Sequence, residues 1–371
     1  MPNMKKLLIF HPTIAPYRID FFNDLYKAFD TRICLRYRNL KSQKFDYDKI
    51  AAQFEFEPVY MEEGIKIGRR TLAKGFWKNL DEFNPDIVIV EEFSIGAVMV
   101  LLHRFLKRKK YKVISTCDDS YNMVAENNDF SKAHKMARKI IAPHLDNIIL
   151  VEPKVAEWYK GKYGTGTFFP IIKPDEKARA EYARIIAQSN DTAHKHNLIG
   201  KKIFLFVGRL VAIKNIEAAI RAFSTLDQKE NVFVIVGDGP ERELLQQTAK
   251  ELSANCIFTG RLEGDELNQW YNIAQIFILP SYLEPFGAVT NEALLAGCKA
   301  LISQKAGSQC LVKDGVNGYT FNPYDINDIA SKMQTAASEV TTLESVTLKK
   351  NNMQCSYNEL IKKLIELLNN L

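Results

Sequence analysis

At 371 residues the chain is longer than one hydrophobic core comfortably serves, so two domains are expected. Its 46% hydrophobic and 25% charged content is that of a soluble globular enzyme. The net charge of +6 suits anionic ligands or a membrane surface, and the clustered basic module that would mark a nucleic-acid partner is missing.

Cys34, Cys117, Cys256, Cys298, Cys310 and Cys355 are scattered, with no C-x-x-C pair. They read as reduced packing residues of a cytoplasmic protein, and metal ligation has little support. The opening MPNMKKLLIFH holds too short an apolar run for a signal peptide, and no apolar stretch reaches membrane-spanning length.

In chain order, Leu7 to Phe10 reads as a buried strand, followed by the loop HPTIAPYR and an amphipathic helix carrying Phe21, Phe22, Leu25 and Phe29. Further strands are predicted at Thr31 to Tyr37, Asp86 to Val90, Tyr111 to Thr116 and Asn147 to Val151. Helices are predicted at Ile95 to Leu106, around Ser131 to Ile141, and at Pro153 to Tyr163. Alternating strands and helices imply a parallel sheet covered on both faces, so residues 1–170 form one α/β domain. No G-x-G-x-x-G follows the first strand, so the dinucleotide fingerprint is missing.

Residues 171–200 change character. Pro170, Pro174 and the polar run QSNDTAHKHN punctuate a helical segment, Asp175 to Ala187, and are expected to connect the domains. A second α/β domain over 201–350 has predicted strands at Ile203 to Val207, Val232 to Val236, Cys256 to Thr259, Ile276 to Leu279 and Ala300 to Ser303. Residues 351–371 end in an amphipathic helix from Leu360.

The second domain carries the chemistry. In VGRLVAIKN a strand ends at Gly208, with Arg209 and Lys214 in the loop beyond it. Arg offers a planar fork to phosphate oxygens and Lys a mobile point charge, so together they can neutralise a departing diphosphate without a metal. Two solvated loop cations are the plain alternative. VGDGPERELL supplies Gly237 and Gly239 for a tight turn into a helix. In PSYLEPFGAVTNEALLAG, Pro285 holds Glu284 out of helical geometry. The amides of Phe286, Gly287 and Ala288 then open a helix, a seat for anions and hydroxyl oxygens. On that helix Val289, Glu292, Ala293 and Ala296 share a face that is apolar but for Glu292, and a buried carboxylate there needs a partner.

The E-x7-E pattern of Glu284 and Glu292, set in EPFG and EAL-x-AG with GR-L-x3-KN and GDGP upstream, resembles the retaining GT-B glycosyltransferases of family 4, the glycosyl transferases group 1. The resemblance covers essentially the whole chain and is densest from Phe204 to Phe321. It implies two Rossmann-like α/β domains facing a cleft, with the C-terminal helix crossing back to the first. It also implies transfer of a sugar, with retention and no metal or other cofactor, from a nucleotide diphosphate-sugar to a hydroxyl of a glycan or lipid-linked glycan. A UDP-sugar is the first expectation for the donor and a GDP-sugar the second.

By the same resemblance Arg209 and Lys214 bind the diphosphate, Glu284 lies by the transferred sugar and Glu292 binds the ribose hydroxyls. Gly208, Gly237, Phe286, Gly287 and Ala288 line the donor site. Backbone groups of Arg261 and Leu262, in FTGRLEGDEL, meet the base, although the Arg261 side chain is as readily a solvated loop cation. Gly307 and Ser308, in SQKAGSQC, are expected to bring backbone amides to the donor. Relatives there carry GG-x-x-E, where this chain has Ala306 and Cys310.

In the first domain APYR resembles a subset of these enzymes found in polysaccharide assembly. Arg18 serves either an anionic ligand or the surface. Many relatives carry a His where this chain reads TCDDS; Asp118 and Asp119 either hydrogen-bond an acceptor hydroxyl or cap a turn. His11 and His103 read as packing or surface residues. The run Lys107 to Lys110 is a solvated helix end or a contact with anionic lipid on the inner face of the cell membrane. A non-catalytic partner subunit and a nucleotide-sugar epimerase of the same fold are the rival readings. The first would be favoured by loss of the cation pair or of E-x7-E, and the second requires a cleft His.

Overall fold

The computed structural model describes residues 4–38, 47–61, 64, 66–67, 70–71, 73–125 and 131–371. Met1 to Asn3, which open the segment read above for a signal, lie outside the described residues. The chain divides into two compact units, one of Met1–Ile171 with Asn358–Leu371 and the other of Ile172–Tyr357.

The first unit contains β1 (Lys6–His11), β2 (Asp30–Leu35), β3 (Val59–Tyr60), a two-stranded hairpin of β4 (Lys66–Ile67) and β5 (Arg70–Thr71), then β6 (Ile87–Glu91), β7 (Lys112–Cys117), β8 (Asn147–Leu150) and β9 (Thr167–Phe168). Outside the hairpin the strands form one parallel sheet in the order β3-β2-β1-β6-β7-β8-β9. Near-continuous apolar runs such as LLIF and IVIV fill its middle, because helices on both faces leave no wet side. The sequence steps one way from β1 through β2 and the other way from β6, so the switch of direction falls between β1 and β6. Open α/β sheets hold ligands beyond the carboxyl ends of strands at such a switch.

The second unit repeats the plan with β10 (Lys202–Val207), β11 (Asn231–Val236), β12 (Cys256–Gly260), β13 (Ile276–Leu279), β14 (Lys299–Ser303) and β15 (Gly318–Phe321). All are parallel, in the order β12-β11-β10-β13-β14-β15, and the switch falls between β10 and β13. β15 was not anticipated: the DGVNG turn leads straight into it, and its pairing with β14 makes it a strand.

The expected connection over 171–200 differs most from the structure. Its residues from Ile172 onward belong to the second unit as two helices, Asp175–Arg184 and Ile186–Lys195, so the polar run is helical. Polar ties hold them: Arg179 donates to Leu295 O at 2.8 Å and Lys349 O at 2.9 Å, and Asn190 Nδ2 donates to Val346 O at 2.9 Å. The last helix, Tyr357–Asn370, groups from Asn358 onward with the first unit and buries Ile361, Leu364 and Leu368 along one stripe.

Candidate active site

The chemistry expected in the second unit gathers at its sheet switch. β10 ends at Val207, and the loop beyond is fastened to its neighbours by backbone bonds. Gly208 N donates to Val236 O at 3.0 Å, Leu210 N to Asp238 O at 2.9 Å and Glu241 N to Leu210 O at 3.2 Å. Gly237, at φ +147°, lies so close that a Cβ there would sit 1.8 Å from Gly208 O; only glycine fits. Arg209 is exposed while Leu210 beside it is fully buried, so the loop is anchored through Leu210 and presents Arg209 to solvent.

Ala212–Lys214 make a short 3-10 turn, and Asn215 leaves it in a left-handed conformation, φ 55°. The buried Asn215 side chain donates to Pro280 O at 3.2 Å and to Pro323 O at 2.8 Å, bracing the loops after β13 and β15. Tyr282 N donates to Ile213 O at 2.9 Å and Glu284 N to Lys305 O at 3.2 Å. These ties bring Lys214 onto Glu284, and the ammonium and carboxylate form an ion pair with both side chains about five-sixths buried (16% and 15% exposed). Two motifs separated by 70 residues thus become one charged centre.

Gly287 takes φ +93°, and a Cβ there would lie 2.6 Å from Leu279 Cδ2. The helix that follows, Val289–Leu295, has seven residues. Among the described residues the amides of Phe286, Gly287 and Ala288 take no backbone partner. The amides of Gly307 and Ser308 are instead spent inside the protein, on Glu284 O at 3.0 Å and Phe286 O at 2.7 Å. This corrects their expected role: they hold the Glu284–Phe286 segment and do not face a donor.

Glu292 does lie on the inward face, and its partners went unread in the sequence. Lys173 Nζ is 2.7 Å from Oε1, and the Tyr271 hydroxyl donates to Oε2 at 2.9 Å. Burial, then the charge of Glu292, pushes the Tyr271 hydroxyl well above the ordinary tyrosine range, so it remains a donor. Arg261 is exposed, its Nε donating to Glu263 Oε1 at 3.0 Å, while Leu262 is half-buried.

The first unit has its own site at its switch. A cavity of about 200 Å³ lies beyond the carboxyl ends of β1, β6 and β7, lined among others by His11, Thr13, Arg18, Glu91, Glu92 and Asp118. Arg18 is buried, not a surface stem, and its guanidinium meets Asp118 Oδ1 at 2.5 Å. Arg36 pairs with Glu91 at 2.7 Å.

Asp119 parts company with Asp118. It is 1% exposed and accepts from His134 Nε2 at 2.8 Å, Arg138 at 2.9 Å and the Tyr159 hydroxyl at 2.5 Å. Burial raises its carboxyl, but hydrogen bonds from His134 and Tyr159 and the charges of His134 and Arg138 more than reverse this and leave it below the usual range. Asp119 is a buried hub with its oxygens engaged, which removes it from the acceptor-binding set.

His103 is fully buried between Tyr111 and Asp81, a packing residue as read. His11 instead lines the cavity. Burial, then the charge of Arg18, lowers its pKa to about 4, so the ring is neutral, and Nδ1 donates to Thr13 O at 2.5 Å. Glu92 sits at φ 43°, unusual for a non-glycine residue. Burial, then the charges of Glu91 and Asp118, raises its pKa to about 7. The one sequence signal for Glu91 and Glu92 was their place just after an apolar strand.

Each unit is Rossmann-like, and the chain has the fold of the GT-B glycosyltransferases. Anabaena Alr3699/HepE, solved in complex with UDP, aligns over 99% of this chain and 100% of its own with a TM-score of 0.76 at 16% identity. Residues 189–352 match the model of the family described as glycosyl transferases group 1. Over 262 residues the chain is 35% identical to the GDP-mannose-dependent alpha-mannosyltransferase of Corynebacterium glutamicum, covering 67% of this chain and 58% of that protein. Over 129 residues it is 34% identical to the lipopolysaccharide 1,2-N-acetylglucosaminetransferase of Salmonella typhimurium, covering 32% of this chain and 34% of that protein. The matches thus span less than two thirds of either relative.

Proposed function

We propose that the protein is a retaining glycosyltransferase of family 4 that takes a sugar from a nucleotide diphosphate-sugar, a UDP-sugar first and a GDP-sugar second, to a hydroxyl of a glycan or lipid-linked glycan. The observation that carries this reading is the ion pair of Lys214 with Glu284 at the sheet switch, with Arg209 exposed on the same loop. The group-1 match and the UDP-bound structural neighbour support it.

In this reaction the anomeric carbon–phosphate oxygen bond breaks while the bond to the acceptor oxygen forms on the same face. The acceptor's proton passes to the leaving phosphate oxygen. Arg209 and Lys214 stabilise the charge that grows on that phosphate, so no metal is required. Glu284 orients Lys214 in the resting site and lies next to the sugar once the diphosphate shares the cation. Glu292 receives the ribose hydroxyls, with Lys173 and Tyr271 holding its carboxylate in place.

The reading extends to a membrane. Phe105 (79% exposed), Leu106, Met136 and Ile140 are exposed apolar residues, the first two directly preceding Lys107 to Lys110. No helix among the described residues is long and apolar enough to cross a membrane. We assign this apolar and basic surface to peripheral contact with anionic lipid on the inner face of the cell membrane, where a lipid-linked acceptor would be met.

The test is a thermal-shift screen of nucleoside diphosphates and nucleotide sugars, followed by transfer in excess EDTA. A ligand at a hundred times its Kd stabilises by about 2.7 kcal/mol, enough to read as a raised midpoint. Stabilisation by UDP or GDP and transfer that survives EDTA are expected. No shift with any nucleotide, or an absolute need for added Mg²⁺ or Mn²⁺, rejects the reading.

A further inference from the structure

The cavity of the first unit has a donor–acceptor balance that restricts what can fill it. Its cations are already used: Arg18 is held by Asp118 at 2.5 Å and Arg36, from the adjoining loop, by Glu91 at 2.7 Å. Each of these cations is balanced by a carboxylate, so an incoming anion meets no uncompensated positive charge. Two groups offer acceptors besides the Asp118 carboxylate. The neutral His11 ring keeps its proton on Nδ1, bonded to Thr13 O, so Nε2 offers a lone pair. Glu92 has its backbone clamped, its N–H donating to Thr116 O at 2.8 Å and its carbonyl accepting from Ser115 Oγ at 2.8 Å. The clamp holds the residue in its left-handed conformation, which sets where its side chain leaves the backbone. The nearest basic group recorded for it, His134 Nδ1, is 4.0 Å away, and the other nitrogen of that ring is bonded to Asp119.

Two acceptors at a sheet switch, with the neighbouring cations neutralised, call for a ligand that supplies hydrogens and carries no negative charge. We propose that this cavity seats the receiving sugar of the acceptor, with Glu92 and His11 accepting hydrogen bonds from its hydroxyls. The site thereby selects a neutral, hydroxyl-rich sugar and rejects one bearing a carboxylate or phosphate. The proposal rests on the transferase reading above and adds the chemical class of its acceptor.

The groups facing Glu92 are Glu91 from the end of β6, Asp118 and Asp119 from the loop after β7, and His134 from the helix Lys132–Ile141. The hydrogen bond to Asp119 raises the His134 ring above its ordinary value, so Glu92 and His134 both change charge near neutrality, and the Glu92→Gln variant separates the two. The Glu92 carboxylate accepts hydroxyl hydrogens better than its acid form, so sugar affinity rises with pH through about 7.

The experiment uses the full chain with UDP or GDP present. Saturation-transfer NMR is recorded with methyl glycosides of glucose, galactose, mannose and N-acetylglucosamine, and with methyl glucuronide and galacturonide. At least one neutral glycoside should bind and the uronides should not. Glu92→Gln and His11→Phe should each weaken binding by about tenfold, and the pH step should vanish in Glu92→Gln. Nucleoside diphosphate affinity, read by calorimetry, should match wild type in both variants and so certifies them as folded. Uronides binding as well as neutral glycosides, no neutral glycoside binding, or unchanged binding in both folded variants overturns the proposal. If wild type binds no nucleoside diphosphate while the neutral sugar still depends on Glu92, the transferase reading fails and the sugar site stands.

Discussion

Lys173 Nζ lies 2.7 Å from Glu292 Oε1, so the carboxylate that we propose receives the ribose already has a cation beside it. The two side chains are 29% and 15% exposed, between the surface and buried regimes of ion pairing. Lys173→Met should therefore cost about 1–2 kcal/mol of stability, read as a lower urea midpoint. Glu292→Gln breaks the same pair and should also weaken nucleoside diphosphate binding and raise KM, with a smaller effect on kcat. The hydrogen bonds to ribose proposed for it would be made in ground and transition states alike. Calorimetry and steady-state kinetics below the unfolding range separate the two effects.

The pair of Lys214 with Glu284 predicts a different split. Glu284→Gln frees the lysine, so bare nucleoside diphosphate affinity should hold while kcat falls, by roughly a hundredfold if one oriented charge is lost at the reacting centre. Lys214→Ala should lower both. If Glu284→Gln loses nucleotide affinity and Glu292→Gln keeps it, the two roles must be exchanged.

Glu92 and His11 set opposing pH dependences of stability. Glu92 titrates near 7 when folded against 4.5 for a free side chain, so between those values the folded chain holds a proton the unfolded chain has released. Stability therefore falls as pH rises through that window. His11 titrates near 4 against 6.5, so the unfolded chain holds the extra proton and stability rises from pH 4 to 6.5. Glu92→Gln should expose the rising limb and gain on wild type as pH goes from 5 to 8. Unfolding midpoints that keep a constant gap across this range would show that the Glu92 carboxyl is not raised.

The membrane surface is testable in two parts. Replacing Lys107, Arg108, Lys109 and Lys110 by Gln should weaken pelleting with anionic vesicles by about 1 kcal/mol per charge and remove most of its salt sensitivity. Phe105→Ser with Leu106→Ser should weaken binding to anionic vesicles at high salt as well. Pelleting unchanged in both variants would return the run to a solvated helix end.

Local signals were legible where they were self-contained. The helices Ile95–Leu106 and Pro153–Tyr163 match their predicted bounds because Ser94 caps one and Pro153 and Gly164 bracket the other. Ile186–Lys195 was mistaken for a connection because its buried positions include Ser189 and Ala193 and its anchor is the Asn190 amide, so no apolar period announced it. Lys214 and Glu284 were each singled out, but their contact depends on the brace from Asn215, which no local pattern encodes. His11 was read as a packing or surface residue and Glu92 was passed over for another reason: their importance lies in neighbouring groups that are already paired, and only the assembled cavity shows that.

The reach of Asn215 has a consequence for how the site comes into being during synthesis. One of its acceptors lies 65 residues further on and the other 108. Closing the longer span costs only about 0.5 kcal/mol more in chain entropy than the shorter one, so distance is a minor obstacle. Order of emergence matters more. A growing chain that has just produced Glu284 already owns both members of the ion pair, yet it lacks the carbonyl of Pro323 and the strand β15 that positions it. The proposed donor site would thus be completed only when β15 joins its sheet, and a fragment ending before Pro323 should be unable to hold a nucleotide, however well its earlier strands have folded.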